Sequence, residues 1–131
     1  MSLDPKNEHT FTNMLLAASR ATNNVASAGQ DLKEYVGSCA VLVNIGTKTV
    51  GDNDGAVTIQ LQESDTNTAS TGTNIASATV ATTNNTTAHG TISVDPRARL
   101  RYIFARIILA GTNSPAYPLA VSFIGTKQVQ S

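Results

Sequence analysis

The stretch "AVTIQLQ" at residues 56–62 alternates without a fault, with Val57, Ile59 and Leu61 on one side and Thr58, Gln60 and Gln62 on the other. A β-strand, whose successive side chains point to opposite faces, turns that pattern into one dry face and one wet face. The pattern recurs along the chain. In "DLKEYVGSCAVLVNIG", residues 31–46, Cys39, Val41, Val43 and Ile45 share a side opposite Ala40, Leu42 and Asn44. "TISV" groups Ile92 with Val94, "LAVSFIG" aligns Leu119, Val121 and Phe123, and "NIASATVA" offers Ile75 and Val80 as anchors of a weaker strand. "MLLAASRAT" from Met14 could open a helix, but the "NN" and "SAG" that follow interrupt a 3.6-residue period and favour an edge strand.

Turn chemistry separates these runs. "GDNDG" at 51–55 is rich in residues that tolerate positive φ, and it predicts a hairpin joining the Val41–Val43 strand to the Val57–Leu61 strand. The polar tract from Ser64 to Asn74 has no apolar period and reads as an exposed loop that accepts insertions; "NNTTAHG" and "GTNSPAYP" read as further loops. Seven or eight short strands with turns every eight to fifteen residues predict an all-β fold, an antiparallel β-sandwich of jelly-roll or Greek-key type. The expected organisation is a polar N-terminal arm over residues 1–13, "MSLDPKNEHTFTN", and a single sandwich domain over 14–131.

One run departs from simple alternation. "DPRARLRYIFARIILAG" is apolar on both sides from Leu100 onward, with Tyr102, Phe104 and Ile108 opposite Ile103, Ala105, Ile107 and Leu109. A strand of that kind is central beneath another layer or covered by a partner chain. Tyr102, Ile103, Phe104 and Ile107 are therefore the candidate oligomer interface, in a dimer or a trimer. Just before them, Arg97, Arg99 and Arg101 would share one face at about 7 Å intervals if the strand already runs there. They would meet acidic side chains of a protein partner, or else pair with Asp95 and other local acids.

The chain is 40% apolar and only 14% charged, with nine Lys plus Arg against nine Asp plus Glu, so no charge excess calls for nucleic acid or an anionic membrane. A single cysteine, Cys39, cannot close an internal disulfide and falls in an apolar run where a small buried hydrophobe fits. "MLLAA" is too short to span a membrane and lacks the flanks of a signal peptide, so synthesis in the cytoplasm is expected.

Reactive constellations do not emerge. His9 and His89 stand far apart with no ligand at metal-binding spacing, and no serine sits in a nucleophile elbow. Asp52, Asp54 and Glu63 fit three positions of a calcium-loop frame, but Val57 occupies the place that frame reserves for glycine. The expectation is no catalytic residue, no metal, no cofactor and no small-molecule substrate. The absence of Trp, with three Tyr and three Phe, also disfavours a carbohydrate-binding module that stacks sugars on exposed rings.

Taken in order, "DLKEYVGSCAVLVNIG", "GAVTIQLQESD" and "VDPRARLRYIFARIILAGTNSPAYPLAVSFIGTKQ" resemble a group of small tailed-phage virion proteins, jelly-roll-like and typically encoded beside the major capsid protein. In that group a strand like "VTIQLQESD" precedes a variable polar loop, and an Arg-Tyr strand like "LRYIFARI" precedes a turn and a closing strand. The resemblance covers residues 31–128 and implies a head decoration, or cement, protein on the outer surface of the capsid. Its implied partner is the major capsid protein, with a head–tail connector or tail component as the alternative. For that contact Phe11, as an anchor in the arm, and Arg97, Arg99 and Arg101 are the candidates.

Overall fold

The computed structural model describes residues 7–49, 55–83, 86–112 and 115–128. The described residues form nine strands: β1 (Asn7–Arg20), β2 (Val25–Ala26), β3 (Gln30–Asp31), β4 (Tyr35–Ile45), β5 (Ala56–Ser64), β6 (Thr73–Thr83), β7 (Ala88–Val94), β8 (Tyr102–Ala110) and β9 (Tyr117–Gln128). One sheet has the order β1-β9-β4-β7, and the other β2-β8-β5-β6 with β3 also on β8. All the ladders are antiparallel.

A single folding-over explains this order. Asn7 lies opposite Gln128, Val25 opposite Ile107, Cys39 opposite Val94, and Ala56 opposite Thr83, so the pairs nest around the polar segment at 65–72. The chain is one long antiparallel ribbon, and rolling that ribbon up adds the ladders β4·β9 and β5·β8. That arrangement is a jelly roll, a β-sandwich in which the two layers bury one face each.

The alternating residues do what their pattern requires. Val41, Val43, Val57, Ile59, Leu61, Val121 and Phe123 are all at most 1% exposed and belong to one core cluster. Toward the end of the core where β4 starts, the half-buried Tyr35 ring meets Phe123 edge-on at 4.9 Å. Burying a side chain of this size contributes about 1.5–3 kcal/mol, so the facing rows of the two sheets are what hold the roll closed.

Three expectations need correction. Strands β4 and β5 are not a hairpin, because they lie in different sheets. Their apolar rows share one interior by facing across it; within the turn at 51–55 only Gly55 lies among the described residues. Residues 7–13, expected in an arm, are the first half of the edge strand β1, held by its ladder to β9. The polar tract after Ser64 is also more than a free loop: it contains a 3₁₀ turn at Ala69–Thr71, and the Ser64 and Thr71 hydroxyls lie 2.6 Å apart, with Ser64 buried.

Candidate contact surfaces

The two sheets differ on their outer sides. On the β1-β9-β4-β7 sheet, the registers place Phe11, Ile124, Ala40 and Ser93 in one row across the four strands, and Asn13, Ser122, Leu42 and Thr91 in the next. Ala120, Asn44 and His89 continue the pattern on β9, β4 and β7. These positions point away from the core because their neighbours Val41, Val43, Val121 and Phe123 point into it. None is a carboxylate, lysine or arginine. Phe11 is 59% exposed and its cross-strand neighbour Ile124 39% exposed, with Val36 also exposed lower on the same sheet. Nothing among the described residues of the chain covers this apolar row.

On the outer side of the β2-β8-β5-β6 sheet the chain covers Phe104 itself, while Ile108 on the same side of β8 stays 41% exposed. Phe104, on the outer side of β8, is 1% exposed. It is covered because Gly29 leaves room: a Cβ there would stand 2.9 Å from the Phe104 ring and would overlap the Asn67 side chain. Next to it the Arg106 guanidinium donates to the Gln62 Oε1 at 2.7 Å, to the Asn24 carbonyl at 2.9 Å and to the Ala69 carbonyl at 3.1 Å. One arginine thereby pins the 64–72 segment and the β1–β2 connection onto the sheet. Gln60 holds a second feature. The β5·β6 register slips between Gln60 and Gln62, and the Gln60 Nε2 lies 2.7, 3.0 and 3.3 Å from the carbonyls of Leu61, Ile75 and Ala78. A β-bulge leaves such carbonyls without ladder partners, and the amide supplies them.

Charge gathers at one end of the roll, where β3, β5 and β7 finish and β4 and β8 start. The four ion pairs found among the described residues all lie there: Arg97–Asp95, Arg99–Glu63, Arg101–Asp31 and Lys127–Glu34. The three sequence-predicted arginines do not form a strand ladder. Pro96–Ala98 is a 3₁₀ turn capped by Asp95, whose carboxylate accepts from the Arg97 N–H, and β8 begins only at Tyr102. Arg99 reaches Glu63 at 3.2 Å, and Glu63 also accepts from the Leu100 N–H at 2.8 Å. Arg101 binds Asp31 through two nitrogens, at 3.1 and 2.9 Å, and its guanidinium sits 5.0 Å from the Tyr102 ring centre. The Arg101 hydrogen bond holds the Asp31 carboxyl below its ordinary range. Arg97 is the arginine left facing solvent, its side chain 85% exposed.

The candidate oligomer residues fare differently from one another. Ile103 and Ile107 face the core and Phe104 lies under Gly29 and Asn67, so all three are at most 1% exposed within a single chain. Only Tyr102 keeps accessible surface. One side of the strand meets the other sheet, and on the other side the chain's own loops cover Phe104. Sequence reasoning missed Ile124, Leu42 and Arg106. The first two were visible as apolar residues out of phase with their strands, whereas the carbonyls that Arg106 binds, at Asn24 and Ala69, lie far from it in sequence.

Among the described residues no three His, Cys, Asp or Glu side chains gather, and no helix is long and apolar enough to cross a membrane. Cys39 is buried, and its burial pushes the thiol pKa up.

No protein-family model and no curated protein matches the sequence. Among solved structures, the chain is similar to a subunit of the disulfide-linked pili formed by Bacillus endospore appendages, with a TM-score of 0.51, 13% identity, and 99% of this chain and 98% of that one covered. It is also similar to the SPBc2 prophage-derived protein YomS, with a TM-score of 0.50, 14% identity, and 97% and 100% covered. At such identities the likeness establishes the fold and nothing finer. A third likeness, to VP2 of the infectious bursal disease virus subviral particle, has a TM-score of 0.49 over 37% of that chain and carries no weight.

Proposed function

We propose that this chain is a structural protein of a tailed-phage particle, and that it decorates the outside of the assembled head, with the major capsid protein as its partner. The observation that carries the reading is the bare outer side of the β1-β9-β4-β7 sheet, where Phe11 and Ile124 stand exposed side by side on a surface without formal charge. A flat, rigid, uncharged face with exposed apolar side chains marks a protein–protein contact rather than a reaction site. Likeness to a full-length prophage-derived protein supports the setting.

Size decides how such a face would work. Four strands about 4.8 Å apart and seven residues of about 3.3 Å give roughly 450 Å², near half of what each partner contributes to a standard stable interface. One copy on one shell subunit binds weakly. Firm binding needs the contact to be repeated, or joined by a second contact from the charged end, where Arg97, held only by an exposed pair with Asp95, could meet an acidic shell side chain and Arg99 and Arg101 would have to exchange their partners. A protein of this kind recognises the assembled lattice over the free subunit, and by binding only that state it stabilises it.

Linkage into a disulfide-bonded filament, the habit of the spore-appendage pili, does not suit this chain. Polymerisation through disulfides needs two cysteines per subunit, and this sequence has one, which is buried. The test of the decoration reading is co-sedimentation with heads assembled without the protein. Saturable binding at a fixed ratio to the shell subunit is expected, together with a higher temperature of head rupture. Absence of binding to heads from the phage that encodes the chain would end the reading.

A further inference from the structure

The roll has two flanks, and they are protected unequally. On one, the edge is β1 with the fragments β2 and β3. Strand β1 has two register breaks, between Asn13 and Leu15 and between Leu15 and Ala18, and carries Arg20; β2 and β3 are two residues each. Bulges, charge and shortness are how proteins keep a sheet edge from pairing with another chain. On the other flank the edges are β6 and β7, eleven and seven residues long, each bonded to one neighbour only. "TNIASATVATT" and "AHGTISV" contain no Lys, Arg, Asp, Glu or Pro.

Between these two edges the sandwich gapes. A groove of about 720 Å³ runs along it, with Leu61, Ile75, Val80, Ile92 and Val94 in its apolar lining. Its back is closed where Val80 leans on Gly90, at which a Cβ would stand 2.9 Å from the valine methyl. The β6 bulge carries Ser77 at φ 62°, in the left-handed region, and shapes that wall of the groove.

We infer that this open flank is the pairing surface for the same flank of a second copy, in a two-fold dimer that continues both sheets. Two features select that occupant. The flank offers two strand edges at once, one from each sheet, whose Cα atoms come within 8 Å of each other where Val80 meets Gly90. A single extended peptide satisfies one of them; another copy of this flank presents two edges at the same spacing and satisfies both. The flank also bears no formal charge along β6 and β7, so placing it against itself brings no like charges together. Closing the groove removes the half-buried Ile75, Val80 and Ile92 from water. The inference stands apart from capsid binding, since it uses the edge of the roll and leaves the outer side of the β1-β9-β4-β7 sheet free.

Sedimentation equilibrium of the whole protein, read with hydrogen–deuterium exchange from roughly 1 to 100 µM, tests it. A dimer is expected, with concentration-dependent protection of amides in 73–83 and 88–94 and none in 7–31. The variant Thr79→Lys/Thr91→Lys, which puts a charge beside each edge at exposed positions, is expected to weaken the dimer at least about 100-fold with its circular dichroism unchanged. If that variant fails to fold, the exchange pattern of the unaltered protein decides alone. A monomer throughout the range, protection that gathers on β1 and β3 instead, or a folded lysine variant that dimerises as before would overturn the inference.

Discussion

Phe11 and Phe104 both stand on the outer side of a sheet, and they have opposite surroundings. Phe104 is sealed by Gly29 and Asn67 and flanked by an arginine whose guanidinium ties two loops down. Phe11 lies open beside Ile124, with no charge around it. The difference teaches that this chain has the means to cover an aromatic on the outer side of a sheet and applies them to Phe104 and not to Phe11. The open surface around Phe11 is the one the proposed contact would use.

The largest effect should come from the covered side. Phe104→Ala is expected to destabilise by about 3–5 kcal/mol, as for a fully buried aromatic, while Phe11→Ala should stay within about 0.5 kcal/mol in chemical denaturation. Equal costs would break the comparison, because they would mean that Phe11 is packed or that Phe104 is not. Next come the polar fastenings. Arg106→Ala leaves two loops unpinned and should cost about 2–3 kcal/mol, and Gln60→Ala, which strips the bulge carbonyls of their donor, about 1–2 kcal/mol. Urea midpoints unchanged by either would show that the loops and the bulge hold themselves.

The smallest effect belongs to the charged end. The Asp31 pKa is lowered chiefly by its hydrogen bonds from Arg101, so the pair's contribution is present above the ordinary aspartate range and is lost as the pH falls through the depressed value. The thermal midpoint of the unaltered protein should therefore decline slightly more than that of Asp31→Asn below about pH 4. Parallel declines would show that the pair adds nothing, as many exposed pairs do.

The sandwich itself was legible in the sequence, since Val57, Ile59 and Leu61 or Val41 and Val43 could sit nowhere but on a dry strand face. What escaped was non-local. Alternation tells that β4 and β5 share an interior without telling whether they pair side by side or face across it, and the turn chemistry at 51–55 favoured the wrong choice. Residues 7–13 looked like an arm because Phe11, Thr12 and Asn13 bury little; their strand exists through backbone bonds to β9, more than a hundred positions away. Gln60 occupied a wet position and read as dispensable, because the carbonyls it serves appear only once β6 bulges. The candidate site followed the same rule. Phe11 was visible as an isolated aromatic, but its partner Ile124 becomes a neighbour only through the β1·β9 register, and the apolar run at 102–107 suggested an interface where the fold has put its own loops.

The most direct test of the bare face is binding to decoration-free heads by Ile124→Lys, which sets a charge in the middle of the apolar row at a position that is already exposed. The account predicts a melting temperature like that of the unaltered protein and head binding weakened at least about tenfold, the loss expected when a charge is buried unpaired in a small apolar contact. A folded Ile124→Lys protein that saturates the heads at the same concentration as the unaltered chain would contradict it.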